Sequence, residues 1–278
     1  ASAGGRLATA AANVSACGAA LNASRDGQLA PLEAAAEAGR SGHATCRTAE
    51  AELKVAMDTE YQAFHAYWSS LSLPACAGSF PQGTWDLSWA CLSQLDSWTT
   101  GKHANASARH DVWLGTIHAR GNKTVECNGE QQAFEAAVCA WIASFETACD
   151  AYSACYASAT AAHAAAVVDA QDVESTKKAD YASAERVQCH LRVMSATEAD
   201  EKQRLLAECL TAQAPNTSHL SLSYPAAPEE QVCGARSAQR PCEPAWVKAA
   251  YVSEPWHVEA PAQECTPCVG TVEAPTAA

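Results

Sequence analysis

The sequence predicts an all-α fold, a long disulfide-stapled helical bundle or coiled-coil-like rod with an extended C-terminal arm rich in proline and cysteine. Alanine, the best helix former, fills 64 of the 278 positions, whereas isoleucine occurs twice and phenylalanine four times. No glycine or proline interrupts residues 130–214, where apolar side chains recur at alternating three- and four-residue steps. Nine of the twelve prolines lie after residue 214, which predicts an extended arm there.

The N-terminal segment, residues 1–74, is predicted to form two helices. Helical spacing of apolar residues over 3–25 predicts a first helix that ends before Asp26. Pro31 suits the first turn of a second helix, which we expect to end at Pro74. Gly39 and Gly42 are expected to interrupt this second helix near its start.

The next segment, residues 75–128, is predicted to be an insertion of short helices and loops. It places large aromatic residues among Gly, Ser and Thr, with Thr84 and Asn105 as expected helix N-caps. The aromatic residues are Trp85, Trp89, Trp98 and Trp113. We expect them to be core anchors that supply the buried area alanine lacks, and a sugar-stacking platform is the alternative.

Residues 129–214 are predicted to form a long helical hairpin. A single helix over 130–194 would be about 100 Å long at 1.5 Å per residue. The tetrapeptide "SATE" at 195–198 matches a capping box, so we expect a break there and a returning helix to Leu210. Cys189 and Cys209 flank this break and are the predicted disulfide pair.

The last segment, residues 215–278, is predicted to be an ordered, extended arm that lies on a helical surface of its own chain or of a neighbour. It carries Trp246, Tyr251 and Trp256, which a disordered linker would not need. We expect these three residues to form an assembly arm that docks on a neighbouring copy.

Fourteen cysteines predict a framework of up to seven disulfides. On a helix with about 100° per residue, Cys139, Cys149 and Cys155 point to three different sides, so we expect three separate covalent neighbours rather than one metal. The expected disulfide cysteines are Cys17, Cys46, Cys76, Cys91, Cys127, Cys139, Cys149, Cys155, Cys189, Cys209, Cys233, Cys242, Cys265 and Cys268.

Five of the six asparagines begin a glycosylation sequon, which predicts an N-glycosylated protein. Sequons and many disulfides together predict a secreted or extracellular protein, or one held in a secretory organelle. The sequon asparagines are Asn13, Asn22, Asn105, Asn122 and Asn216.

The composition and the missing motifs argue against several functions. A net charge of −13 argues against nucleic-acid partners, and no apolar run is long enough for membrane insertion.

The CxxC pair at 265–268 has no helix to activate it and no second ligand pair, so we expect structural disulfides rather than a redox or zinc site. His103, His110 and His118 offer no defined ligand set, so no metal and no cofactor is predicted. No catalytic motif occurs, which predicts a protein that is not an enzyme.

The stretch "CDAYSACYASATAAHAAAVVDAQDVESTKKADYASAERVQCHLRVM" at 149–194 resembles cysteine-patterned helical modules in secreted proteins of unicellular algae and related protists. In those modules a Y-x-x-C helix is followed by a basic-x-x-C-x-x-x-hydrophobic turn. Arg186, Cys189 and Val193 lie in the matching turn. The resemblance covers about a sixth of the chain and implies a cell-surface or extrusome setting.

We therefore predict a secreted structural glycoprotein, a subunit of an extracellular filament, surface coat or extrusive fibre. Its expected partners are other copies of itself or related structural subunits, besides its N-linked glycans. The alternative is a secreted recognition module that binds glycan or protein through residues 75–128.

Overall fold

The computed structural model of the chain describes residues 2–79, 85–233 and 239–268. Helix makes up 82% of it and the described residues contain no strand, which confirms the predicted all-α class. The long helices pack together, and the chain contains seven disulfides. None of the described helices is both long and apolar enough to cross a bilayer.

Four longer helices and two short ones make up most of the described chain. They are α1 (Ala3–Ser24), α2 (Ala30–Ser69), α3 (Ala75–Gly78), α4 (Trp85–Ser195), α5 (Ala199–Thr211) and α6 (Pro244–Val247). A π-helical turn, Arg25–Leu29, joins α1 to α2, and Pro31 lies in the first turn of α2 as predicted. Smaller turns occupy Ser218–Leu220, Lys248–Val252 and Pro255–Val258.

The chain divides into two compact units. The first comprises Ala1–Gln28 and Phe145–Arg236, and the second comprises Leu29–Ser144 and Ser237–Ala278. Helix α4 contributes its beginning to the second unit and its remainder to the first. The units therefore cut across the segments predicted at 1–74, 75–128, 129–214 and 215–278, because each unit combines residues that are distant in sequence.

In the first unit, α1 packs its apolar stripe against α4. Leu7, Val14 and Leu21 are at most 3% exposed and recur at seven-residue steps, which places them on one side of α1. Leu21 and Cys17 pack against Tyr152 of α4. These side chains form the small core of the first unit.

The described part of the C-terminal arm, residues 215–233 and 239–268, is called the tail below. In the first unit the tail is extended from Leu222 to Cys233 and runs antiparallel to α4. As the residue number rises along the tail, the residue number of its contact on α4 falls. The contacting pairs are Leu222 with Glu174, Pro225 with His163, Pro228 with Tyr156, Gln231 with Tyr152 and Cys233 with Cys149. An extended chain advances about 3.3 Å per residue and a helix about 1.5 Å, so 11 steps of tail and 25 steps of helix both cover about 37 Å. The predicted extended conformation is confirmed for this part of the arm.

In the second unit, α2 and the first part of α4 lie antiparallel. The disulfide Cys46–Cys127 links them, and near the end of α2 the Tyr67 hydroxyl donates to the Lys102 carbonyl at 3.0 Å. A core of Phe134, Val138 and Ile142 lies between the helices and the C-terminal part of the chain.

The predicted insertion of short helices and loops over 75–128 is wrong for most of its length. Helix α4 begins at Trp85 and continues through Asn105, which is therefore mid-helix rather than an N-cap. Thr84 lies outside the described residues. A glycine in a helix costs only about 1 kcal/mol relative to alanine, which packing against α2 offsets. The three glycines of this stretch of α4, Gly101, Gly115 and Gly121, thus do not end the helix.

The predicted interruption of α2 at Gly39 and Gly42 is also wrong, since α2 is continuous from Ala30 to Ser69. A side-chain Cβ at Gly39 would lie 3.2 Å from the Cα atom of Phe134 on α4. Gly39 is therefore the point where the two helices approach closely, and its missing side chain serves packing rather than a break.

The predicted break after residue 194 is confirmed, but the capping box is not. Helix α4 ends at Ser195 and α5 begins at Ala199, with Glu198 as its N-cap and no side-chain capping bond. The Ser195 hydroxyl instead donates to the Arg192 carbonyl at 3.0 Å, which satisfies a carbonyl at the end of α4.

Candidate functional site

All fourteen cysteines are paired and none is free. Cys139, Cys149 and Cys155 of α4 bond to three different segments, as their directions on the helix predicted, and Cys189 bonds to Cys209. The seven pairs are Cys17–Cys155, Cys46–Cys127, Cys76–Cys91, Cys139–Cys268, Cys149–Cys233, Cys189–Cys209 and Cys242–Cys265. Such a framework is typical of an oxidising, extracellular-type environment.

The two cysteines of the CxxC motif do not pair with each other. Cys265 bonds to Cys242 within the tail, whereas Cys268 bonds to Cys139 on α4. The motif therefore fastens the last described residues of the chain both to Cys242 and to α4.

The three residues expected to form an assembly arm lie in the core of their own chain, which corrects that prediction. Trp246, Tyr251 and Trp256 are 8%, 1% and 5% exposed and pack against Phe134 and other core residues of the second unit. They reach the core because Pro244–Val258 forms helical turns rather than an extended strand. Their rings are thus not available to a neighbouring copy.

A buried polar network lies beneath this tail and was not foreseen from the sequence. Its centre is Arg47 of α2, which is 0% exposed. The Arg47 guanidinium donates to the Glu50 carboxylate at 2.7 Å, to the Asn128 amide oxygen at 2.6 Å and to the Gln131 amide oxygen at 3.1 Å. Each of the three guanidinium nitrogens has an acceptor, and this arrangement orients α2 against α4.

The network continues through α4 into the tail. The Glu135 carboxylate, 1% exposed, accepts from the Gln131 amide at 2.9 Å, from the Tyr251 hydroxyl at 2.8 Å and from the Thr266 backbone N–H at 2.9 Å. Burial, together with the hydrogen bond to Glu135, raises the pKa of Tyr251, so its hydroxyl remains a donor. The Gln263 backbone N–H also donates to the Gln131 amide oxygen at 3.0 Å. The tail is therefore recognised by polar groups of α4 as well as by apolar packing.

His43 lies at the edge of this network inside an aromatic cage. The ring is 1% exposed, and the rings of Tyr251 and Trp256 approach it edge-on with centroids 5.2 and 5.3 Å away. Burial, and then the nearby Arg47 guanidinium, lower the pKa of His43 to about 4. The ring is therefore neutral near pH 7, and its Nε2 accepts from the Arg47 Nε at 3.2 Å.

One sequence signal could have revealed the network. His43, Arg47 and Glu50 recur at four- and three-residue steps around Cys46, so they lie on the side of α2 that the disulfide turns toward α4. Polar residues on such an inner face are buried and need partners. The partners on α4 and in the tail come from distant parts of the sequence and do not follow from local patterns.

The sequon asparagines differ from the sixth asparagine in their surroundings. Every sequon asparagine side chain is exposed: Asn13, Asn22, Asn105, Asn122 and Asn216. Asn128, which begins no sequon, is half-buried and its amide oxygen accepts from Arg47. The exposed asparagines have room for a glycan, and the asparagine that is needed in the interior does not carry the motif.

The tryptophans of α4 divide into two kinds, so the expectation of core anchors is wrong for two of them. Trp113 is half-buried against Tyr61 and Phe64 of α2. Trp85 and Trp89 are 76% and 58% exposed and stack on each other at 5.8 Å. This part of α4 lies beyond the residues that pair with the end of α2, and its Cys91 is bonded to Cys76 of α3.

The histidines considered for a metal site serve other contacts or lie exposed. His110 packs against Phe64 and Trp113, while His103 and His118 are exposed. Within residues 2–79, 85–233 and 239–268, no group of three or more histidine, cysteine or acidic side chains is arranged to hold a metal ion.

Comparison of the chain with protein-family models, with curated proteins and with solved structures found no match. The resemblance of residues 149–194 to secreted algal and protist modules therefore stays a prediction.

Proposed function

We propose that this protein is a secreted, N-glycosylated structural protein, a subunit of an extracellular filament, surface coat or extrusive fibre. The observation that carries the proposal is the complete pairing of fourteen cysteines across alanine-rich helices. Alanine contributes little buried area, so covalent links must supply rigidity that a larger apolar core would otherwise provide. Rigid, cross-linked helices suit a load-carrying role better than a role that needs moving parts.

Two further features support this proposal. The five sequon asparagines are exposed, as glycan attachment requires. The buried network of Arg47, Glu135 and Tyr251 fixes the tail on the helices through charge-assisted hydrogen bonds. The proposal assigns the network a structural role and no catalytic one.

The test is to isolate the chain from a eukaryotic secretory host and to image it by electron microscopy. We expect regular polymers or sheets above a threshold concentration, with glycans on the sequon peptides by mass spectrometry. Particles that stay monomeric at every concentration, in native material as well, would contradict the structural role.

A secreted recognition module is the second candidate, and the exposure of Trp85 and Trp89 favours it. Large aromatic rings left open to solvent are costly and often serve ligand binding, for example by stacking on sugar rings. A glycan array probed with the full chain tests this candidate. Binding that Trp85→Ala and Trp89→Ala abolish, and that Trp98→Ala preserves, would support recognition over a structural role.

A further inference from the structure

A pocket lies in the first unit between the last turns of α4 and the chain at the end of α5. Its volume is about 520 Å³, within the range of sites that bind small organic molecules. Cys189 of α4 and Cys209 of α5 line it, and the disulfide between them links its two sides. None of the α5 residues is buried, so this disulfide, rather than an apolar core, fixes the two sides. A site that is fixed before a ligand arrives loses less entropy on binding.

Two arginines of α4 line the pocket. Arg186 lies three residues before Cys189 and Arg192 lies three residues after it, so the two flank the disulfide at about 60° on either side. Both arginines are exposed, and neither forms an ion pair with a described residue. His190 also lines the pocket, and its ring carries at least one N–H donor in either protonation state. The pocket therefore offers two cations and a further donor without a partner of their own.

The nearby carboxylates do not neutralise these cations. Glu185 is the one carboxylate among the described residues that line the pocket, and its charge raises the pKa of the Tyr181 hydroxyl, which lies one turn earlier on α4. Glu208 of α5, next to Cys209, forms an ion pair with Arg204 instead. Two guanidinium groups against one carboxylate leave the pocket with excess positive charge. The net charge of the chain is −13, but charges more than about 8 Å away are largely screened at physiological ionic strength.

Apolar groups form another part of the pocket wall. Leu210 of α5 is 73% exposed and lines the pocket, and Ala212 and Pro215 continue this wall after α5 ends. An exposed leucine beside unpaired guanidinium groups suits a ligand that has both an anionic group and an apolar body. The apolar body would cover the leucine, and the anionic group would accept hydrogen bonds from the arginines.

We propose that this pocket binds a small organic anion, with a carboxylate, sulfate or phosphate group against Arg186 and Arg192 and an apolar body against Leu210. Guanidinium groups form charge-assisted and often bidentate hydrogen bonds with these anionic groups. A long polyanion fits less well, because it would extend beyond the pocket over the acidic surface of the chain. The site is separate from Trp85 and Trp89, and its binding does not depend on assembly of the chain.

Arg192 alone has a second explanation. It lies in the last turn of α4, where a cation interacts favourably with the helix dipole. Arg186 lies nine residues before Ser195, the end of α4, and the dipole effect falls off within the last turn. A role in helix stability would therefore involve Arg192 and not Arg186, so single substitutions distinguish helix stabilisation from ligand binding.

The experiment is a fluorescence titration of the full, disulfide-bonded chain with two dyes. Anilinonaphthalene sulfonate is an aromatic anion, and phenylnaphthylamine has the same rings without the sulfonate. The measured quantity is the ratio of the two affinities, because apolar surfaces elsewhere contribute to the binding of both dyes. Arg186→Gln with Arg192→Gln should lower the preference for the sulfonate by about tenfold, and Arg186→Gln alone should lower it by a smaller factor.

The matched control for charge is Lys177→Gln with Lys202→Gln. It removes two exposed cations of α4 and α5 that do not line the pocket, and it should change the preference by less than about twofold because distant charges are screened. Ala212→Phe narrows the pocket and should weaken binding of the sulfonate. Ala207→Phe, at an exposed position of α5 outside the pocket, should not.

Every variant keeps the sequon at Asn216, the residue after Pro215, so a glycan there affects all titrations alike. Circular dichroism checks that each variant keeps its helices. Loss of the preference in the arginine and Ala212 variants, with retention in the lysine and Ala207 variants, supports the site. An unchanged preference in the double arginine variant, an effect of Arg192→Gln without one of Arg186→Gln, or a wild-type chain that does not prefer the sulfonate would each overturn it. The structural function is tested separately, by electron microscopy.

Discussion

Arg47 holds the second unit together through partners on two helices, although its own side chain brings a charge into the interior. Arg47→Met would leave Glu50, 2% exposed, without its cation. Removing one member of a buried ion pair costs about 3–5 kcal/mol, because the remaining charge stays buried and uncompensated. We expect a loss of this size in the unfolding free energy, measured by urea titration with circular dichroism.

The control for Arg47 is Arg40→Met on the same helix. Arg40 and Glu37 form an ion pair whose side chains are 50% and 63% exposed, and such pairs contribute less than about 1 kcal/mol. Equal effects of the two substitutions would contradict the structural role of the buried network.

His43 makes the stability of the second unit depend on pH. Its pKa is about 4 in the folded chain and 6.5 as a reference value, so between these values the unfolded chain binds a proton that the folded chain does not. Stability therefore falls as pH drops from about 6.5 to 4, by about 3 kcal/mol in total. The titratable groups that face His43 are Arg47 and Glu50 from α2 and Tyr251 from the tail.

The test of the pH dependence is the unfolding free energy measured from pH 7 to pH 4 in two variants. His43→Gln keeps an acceptor for the Arg47 Nε but does not titrate, so its profile should be flatter than that of the wild type. His65→Gln changes an exposed histidine of α2 and should leave the profile unchanged. A slope that survives in His43→Gln would assign the pH dependence to other groups.

At the scale of elements, replacing one glycine of α2 and one glycine of α4 by alanine should change the stability of the chain in opposite directions. Gly39→Ala would place a Cβ 3.2 Å from the Phe134 Cα, and overpacking of this kind costs typically about 1–3 kcal/mol. Gly115→Ala meets nothing within 4 Å and should stabilise the chain by about 0.5–1 kcal/mol through helix propensity. Thermal unfolding of the two variants checks the predicted difference in sign.

The same contact shows which elements the sequence could predict. The break after Ser195 and the pairing of Cys189 with Cys209 followed from local signals, since both lie within one short hairpin. The continuity of α2 through Gly39 did not, because the reason for that glycine is a neighbour 95 positions away, Phe134. The low helix propensity of a glycine does not end a helix where tertiary packing offsets its small free-energy cost.

The tail shows which of its contacts the amino-acid composition could predict and which it could not. Its prolines correctly predicted the extended run from Leu222 to Cys233, because proline is excluded from the interior of a helix whatever the chain packs against. The aromatic residues after Pro244 were expected to need a partner, and that expectation was right. Composition cannot tell whether the partner is the same chain, and in the structure Phe134 and Glu135 of α4 fill that role.

At the scale of the whole molecule, the tail belongs to the core of each unit instead of being an accessory. Truncation after Ala214 would remove the partners of Cys139 and Cys149 and the whole bridge between Cys242 and Cys265. It would also expose Phe134. We expect a chain with a much lower melting temperature that binds a hydrophobic dye, rather than a stable helical monomer.

The covalent and packing contributions of the tail can be separated in the full chain. Replacing Cys139, Cys149, Cys233 and Cys268 by alanine removes both links from the tail to α4 but keeps every buried contact of Tyr251 and Trp256. If the buried contacts of the tail stabilise the chain, the melting temperature of this variant lies between those of the wild type and the truncated chain, because only the loop-closure constraint is lost. A truncated chain with the same melting temperature as the wild type would show that the tail is not needed for stability, and that α2 and α4 form a sufficient core without it.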